Sequence, residues 1–180
     1  MFPEPVSEIR AVVNPFTAGD VAAILRERGW LKAENDGVAS WMAEAGVLLG
    51  PRAANRETLA HLLALVFEYD ARAVLASRES QEVLAREGAR DVLRALATEI
   101  LSGGPVDSNR LKEIVTAVKT GLSFSSREIF HPLRLALTGR VGEGELDRVV
   151  LLLDRAAQME GLAPVKSVRQ RILEFCAALD

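Results

Sequence analysis

Apolar residues recur at i, i+3, i+4 and i+7 from Val21 almost to the C-terminus, while β-branched alternation never persists. That periodicity predicts an all-α chain. The punctuation agrees: Thr17 with Asp20 three residues on is a variant capping box, Val21, Ala22, Ile24 and Leu25 follow, and Gly29 stands where a helix C-terminal glycine belongs. A second helix is expected after Asp36, carrying Val38, Trp41, Met42 and Ala45 and fading at Gly46. Gly50-Pro51 then breaks the chain, which divides it into an N-terminal helical lobe of unassigned role, residues 1–50, and a larger helical domain, residues 51–180.

Asn55 can cap the next helix, whose Leu59, Leu62, Leu63, Val66 and Phe67 form an apolar face broad enough to demand deep burial. From Ala71 to Ser102 the pattern continues, with Ser77 and Gly88 as expected breaks, and Ser102-Gly103-Gly104-Pro105 is the clearest loop. Asp107 or Ser108 opens a helix with Leu111, Ile114, Val115 and Val118 inward and Gly121 at its end. Ser125-Ser126-Arg127-Glu128 is a capping box, yet Pro132 follows within two turns, so a helix must start, kink or restart there. The run Pro132 to Gly139 reads as a helix with proline in its first turn and glycine just past its end. Two more helices follow, one with Leu146, Val149, Val150, Leu152 and Leu153 that stops by Gly161, and one from Pro164 with Val168, Ile172, Phe175, Cys176 and Leu179.

The composition changes this picture little. Of 180 residues 49% are hydrophobic and 26% charged, a profile that excludes disorder and collagen-like repeats. One cysteine, Cys176, permits no internal disulfide and is expected as a small buried helix residue. No apolar run reaches the roughly 18 residues of a membrane span, and Met1 to Arg10, with Pro3, Glu4, Pro5 and Glu8, lacks a leader pattern, so a soluble cytoplasmic protein is expected. The formal net charge of −3 argues against nonspecific coating of nucleic acid and restricts any RNA site to a patch.

Catalytic chemistry finds no foothold. His61 and His131 lie in no metal-binding spacing, and no glycine-rich phosphate loop is present, so neither a metal nor a cofactor is expected. Glu143 with Glu145, and Glu79 with Glu82, are better explained by helix dipoles than by acid/base work, and Ser123, Ser125 and Ser126 by turns and caps. Lys112, Lys119, Arg127, Arg134 and Arg140, by contrast, share one stretch with Phe124, Phe130 and His131, a mixture that suits unstacked RNA bases and their phosphates. The plainer reading makes the phenylalanines core anchors and the cations a solvated face. The same choice applies to Lys166, Arg169 and Arg171 on the last helix.

The segment Phe130-His131-Pro132-Leu133-Arg134-Leu135-Ala136-Leu137-Thr138-Gly139-Arg140 resembles the Pro-Leu-Arg, Ala-Leu-Thr-Gly segment in the C-terminal anticodon-binding region of bacterial glutamyl-tRNA synthetases. Its context is similar too: a Lys-Thr-Gly-Leu helix end before it, Gly142-Glu143-Gly144-Glu145-Leu146 after it, then Gly161-Leu162 and the arginine-bearing Val168 to Ile172. The resemblance covers roughly Leu59 to Leu179 and leaves Met1 to Gly50 without a counterpart. It implies an all-α helical cage that, in a full synthetase, approaches the anticodon stem and loop of tRNA(Glu).

Neither ATP-binding motif of a class I synthetase nor its parallel-sheet pattern occurs in this chain, so the resemblance implies a noncatalytic RNA-binding module of protein biosynthesis. A freestanding paralogue, a split synthetase subunit working with a catalytic partner, and a fragment are the alternatives. Arg134 and Arg140 are its leading expected RNA contacts, with Lys119 and Arg127 secondary. Arg134 has an equal structural reading, in which its guanidinium satisfies carbonyls at neighbouring helix ends. The rival reading is a protein-interaction scaffold that has lost RNA affinity. A helix-turn-helix over Asp20 to Ala45 is weaker, because its second helix offers Glu44 and neither Arg nor Lys to a major groove, which makes DNA an unlikely partner.

Overall fold

Helix starts in this chain are set mainly by side-chain caps. The Thr17 hydroxyl accepts from Asp20 N and the Asp20 carboxylate accepts from Thr17 N at 2.7 Å, closing the first predicted box. A computed structural model describes residues 14–180; the leader reading of Met1 to Arg10 lies outside them. Among the described residues ten helices form: α1 (Ala18–Arg28), α2 (Asp36–Leu49), α3 (Arg56–Phe67), α4 (Ala71–Ala76), α5 (Arg78–Leu84), α6 (Ala89–Leu101), α7 (Ser108–Leu122), α8 (Ser126–Thr138), α9 (Glu145–Ala157) and α10 (Val168–Leu179). Asn35, Asn55, Asp70, Ser77, Asp107, Ser125 and Ser167 cap all the rest except α6 and α9. The fold is all-α, and none of these helices is long and apolar enough to cross a membrane.

Four boundaries differ from the sequence expectation. α2 runs through Gly46 to Leu49, because Gly46 is buried against the start of α1 and Asn14 Nδ2 donates to its carbonyl at 2.9 Å. α7 passes Gly121 and ends at Ser123, which takes the left-handed position at φ 57. Pro132 opens no new helix: α8 is continuous from the Ser125 box, since one missing N–H costs it a single ladder bond while Ile129, Leu133, Ala136 and Leu137 all need the same buried side. α10 starts at Val168 rather than Pro164, where Ser167 and Gln170 form a further capping box.

A single hydrophobic cluster takes residues from α1 through α10. Trp30 stacks on Phe67 at 4.8 Å and Trp41 meets the same ring edge-on at 5.9 Å. The α1–α2 pair, marked in the sequence as a separate lobe, packs onto α9: Trp41 Nε1 donates to the Leu152 carbonyl at 3.1 Å, and Glu44 pairs with Arg155. The loops before α2 and after α9 are clipped by Lys32 N to Gly161 O and Ala163 N to Trp30 O, at 2.8 and 2.7 Å. Gly161 has no room for a side chain there, since a Cβ would stand 2.4 Å from the Ala33 carbonyl oxygen.

Two charged side chains inside this core tie helix ends together. Arg171 is fully buried, and its four bonds all go to backbone carbonyls: Nη1 donates to Leu65 O and Leu137 O at 2.8 Å each, Nε to Lys166 O at 3.0 Å, and Nη2 to Val66 O. Leu65, Val66 and Leu137 lie in the last turns of α3 and α8, where carbonyls have no intrahelical donor and the helix dipole is negative. Burial lowers the Arg171 pKa to about 10, with Tyr69, whose ring lies 4.7 Å from the guanidinium carbon, the largest opposing influence. Asp154 is the acidic counterpart: its two oxygens accept from Val106 N at 2.7 Å and from Val168 N at 2.8 Å, fixing the Gly103-Gly104-Pro105 loop and the first residue of α10.

Candidate nucleic-acid interface

α8 sits at the centre of the body, packed against α5, α6, α7, α9 and α10. Its motif residues divide the labour of holding it there. Leu133, Leu135, Ala136, Leu137 and Thr138 are all buried, so the C-terminal half of α8 is enclosed on nearly every side. Thr138 Oγ1 donates to the Arg134 carbonyl at 2.7 Å and accepts from Arg140 N at 3.2 Å, folding the chain over at the helix end. Gly139 then adopts φ +77, and a Cβ there would come 2.8 Å from Val74 Cγ2.

Arg134 points across the helix surface rather than away from it. Nε and Nη2 donate to the two Asp147 oxygens at 2.7 and 3.0 Å, a fork that ties α8 to α9, and Nη1 donates to Gly142 O at 2.8 Å. Its guanidinium carbon also lies 4.9 Å from the Phe130 ring centre. With three of five N–H groups engaged and the side chain 12% exposed, Arg134 holds the α8–α9 loop. The same fork neutralises Asp147, one of the carboxylates in the acidic stretch after the motif.

The other three expected contacts face outward. Arg140 is exposed beyond the C-terminal end of α8, over an open groove of 660 Å³ also lined by Arg28, His61, Glu68 and Glu79. Arg127 is exposed in the first turn of α8, and Lys119 Nζ lies 3.4 Å from Ser126 Oγ beside it. Among the described residues no ion pair takes Arg127, Arg140 or Lys119. A 13-residue helix spans roughly 20 Å, so these cations form two groups at opposite ends of α8 rather than one patch.

The second basic group makes its contacts within the chain, although Lys166, which precedes α10, and Arg169 stay at the surface. Arg171 is buried, Arg169 Nη1 donates to Leu101 O at 3.0 Å at the end of α6, and Lys166 pairs with Glu174 at 2.7 Å. The structure also brings in a cation that periodicity did not single out. Arg86, from the α5–α6 turn, donates to His131 Nδ1 at 2.5 Å and stands beside Arg127 on the rim of a 300 Å³ pocket. Forty-five residues separate Arg86 from His131, and only the packing of α5 and α6 on α8 joins them. Burial first, then Arg86, Arg127 and Arg134, hold the His131 pKa below its ordinary value, with Glu143 pulling the other way.

The sequence profile described as the anticodon binding domain matches residues 15–159. The chain belongs to that family. The match starts within four residues of α1, so the helices that the motif resemblance left without a counterpart fall inside the anticodon-binding domain. Similar curated proteins include the glutamate-tRNA ligase of Bacillus cytotoxicus, 30% identical over 87 residues, which are 48% of this chain and 18% of that protein. The ligases of Geobacillus stearothermophilus and Geobacillus thermodenitrificans are each 30% identical over 84 residues, 47% of this chain and 17% of theirs. The matched segment therefore spans less than a fifth of these relatives. No solved structure matches the chain.

Proposed function

We propose that this anticodon-binding domain is a noncatalytic tRNA-binding module that meets RNA through the exposed cations at the two ends of α8. Arg127 and Lys119 would contact backbone phosphates at one end and Arg140 at the other, while Arg134 acts from within by holding the loop that follows. The observation that carries this reading is the family match across residues 15–159, combined with exposed arginines flanking the one segment that resembles the synthetase motif. The similarity to glutamate-tRNA ligases supports tRNA(Glu) as the first RNA to try, and a separate synthetase catalytic subunit as a further partner.

Titration with labelled tRNA(Glu), total tRNA and duplex DNA at two salt concentrations tests it. Binding through a few phosphates should weaken with salt, and Arg140→Ala should weaken it further while flattening the salt slope by about 1. A protein-interaction scaffold is favoured instead if no RNA binds at low salt. What supports that rival is the net charge of −3 and the engagement of Arg134 and Arg171 inside the fold.

A further inference from the structure

The 300 Å³ pocket at the N-terminal end of α8 has an apolar floor under a polar rim, on which Arg86, Arg127 and His131 stand with Glu87 and Glu128. Val83, Val92 and Pro132 are buried in that floor, and the half-buried ring of Phe124 joins them from the α7–α8 loop. Phe124 lies directly over Gly88, where the backbone takes φ +77 and a Cβ would stand 2.3 Å from the ring's Cζ. Only glycine lets the ring settle there.

On the rim, Arg86 and Arg127 flank His131. A guanidinium can only donate, so the bond from Arg86 makes His131 Nδ1 an acceptor and leaves the proton of the neutral ring on Nε2. The other charges facing His131 are accounted for. Glu128 also lines the pocket, with its Oε2 engaged in the capping box, where it accepts from Ser125 N at 2.7 Å. Arg134 is neutralised by Asp147, Glu143 approaches from the α8–α9 loop, and Glu87 stands on the rim from the α5–α6 turn. Burial, then Arg86, Arg127 and Arg134, disfavour protonation of His131, and Glu143 favours it. Cations above an apolar, partly aromatic floor match a nucleotide better than they match a bare anion, since a base has a face to stack and a phosphate has charge to pair. A volume of 300 Å³ is at the small end of ligand sites and suits one such unit.

We propose that this pocket binds one unpaired nucleotide, its base against Phe124 and the apolar floor and its phosphate on Arg86 and Arg127. As the phosphate arrives, Arg86 turns its N–H from His131 to the phosphate oxygen, and His131 Nδ1 takes a proton from solvent to become a third donor. The RNA-binding reading supplies one source of the nucleotide; a free 5′-mononucleotide carries the same chemistry.

The test follows the imidazole carbon-bound protons of His131 and His61 by NMR, in the full chain, between about pH 5 and 8, where histidine titrates. Cytidine 5′-monophosphate, a single-stranded RNA hexamer and inorganic phosphate are added in turn. The nucleotide and the hexamer should raise the His131 midpoint by about half a pH unit or more, as a neighbouring anion does, and shift Phe124 ring signals, leaving His61 unmoved. Arg127→Gln, an exposed change that should not alter melting, and Arg86→Gln should each weaken binding about tenfold. Indifference of His131 and Phe124 to both nucleotide and hexamer would overturn the site, and an equal response to inorganic phosphate would overturn the base-binding half. The two readings fail separately: tRNA binding that survives Arg86→Gln, with no response to the mononucleotide, removes this pocket and keeps the RNA module. A mononucleotide response without tRNA binding does the reverse and assigns the site to free nucleotide.

Discussion

Arg171→Met should cost this protein about 4 kcal/mol, a figure set by two opposing effects. Holding a guanidinium inside the core is unfavourable: a pKa lowered to about 10 corresponds to a net cost to its charged form on the order of 3 kcal/mol, after the opposing charges are counted. Against that stand four hydrogen bonds from a charged donor, each worth roughly 1.5 to 3 kcal/mol. Methionine fills the volume and removes the charge, but it leaves the carbonyls of Leu65, Val66, Leu137 and Lys166 facing apolar surroundings. For a chain of this length the loss should lower the melting temperature by about 8 to 16 °C. Circular dichroism melts and urea titrations measure it, and the urea midpoint should fall with the slope unchanged. Arg171→Lys should fall between, because one ammonium carries three donors on a single point and cannot span four separated acceptors. A methionine variant melting within about 3 °C of the parent would refute the reasoning, since 1 kcal/mol alone moves it that far.

Gly161→Ala should lose about 2 kcal/mol by forcing a methyl against the Ala33 carbonyl, whereas Gly104→Ala, with open space around it, should melt as the parent does. Arg134→Lys keeps the charge and loses the fork, so a drop of about 2 kcal/mol is expected. A double-mutant cycle with Asp147→Asn should show coupling of about 1 kcal/mol or more. The depressed pKa of His131 has a signed consequence for acid stability. As pH falls below about 6.5 the unfolded chain takes up the proton first, so stability present above that pH declines until the folded-state pKa is passed. Denaturant midpoints measured from pH 7.5 to 5.5 should show this decline in the parent, and His131→Gln should remove it.

The periodicity and the caps were legible because both are local: Thr17, Asn55 and Ser125 start the helices they promise, each three residues from the N–H it caps. The motif from Pro132 to Gly139 was legible as a pattern, and its residues turn out to be mostly architectural, buried or bonded at the end of α8. Arg171 was not legible. An arginine on an amphipathic helix reads as solvated until the ends of α3 and α8, 105 and 34 residues away, are known to converge on it. Asp154 was hidden likewise in a leucine-rich run, and Arg86 lies in a turn with no pattern of its own. Continuity through Pro132 was undecidable locally, because it depends on how much core the helix on either side must bury.

The dependence of α2 on α9 has a bearing on how the protein is born. The indole of Trp41 bonds to the carbonyl of a residue translated 111 positions later. At about 5 to 20 residues per second, the first two helices leave the ribosome and wait roughly 6 to 22 s for that partner, although a helix itself forms within microseconds. Throughout that interval the side of α2 that α9 will cover, with the Trp41 indole N–H still unbonded, lies open to any chaperone, or to a neighbouring nascent copy, that reaches it before the ninth helix arrives.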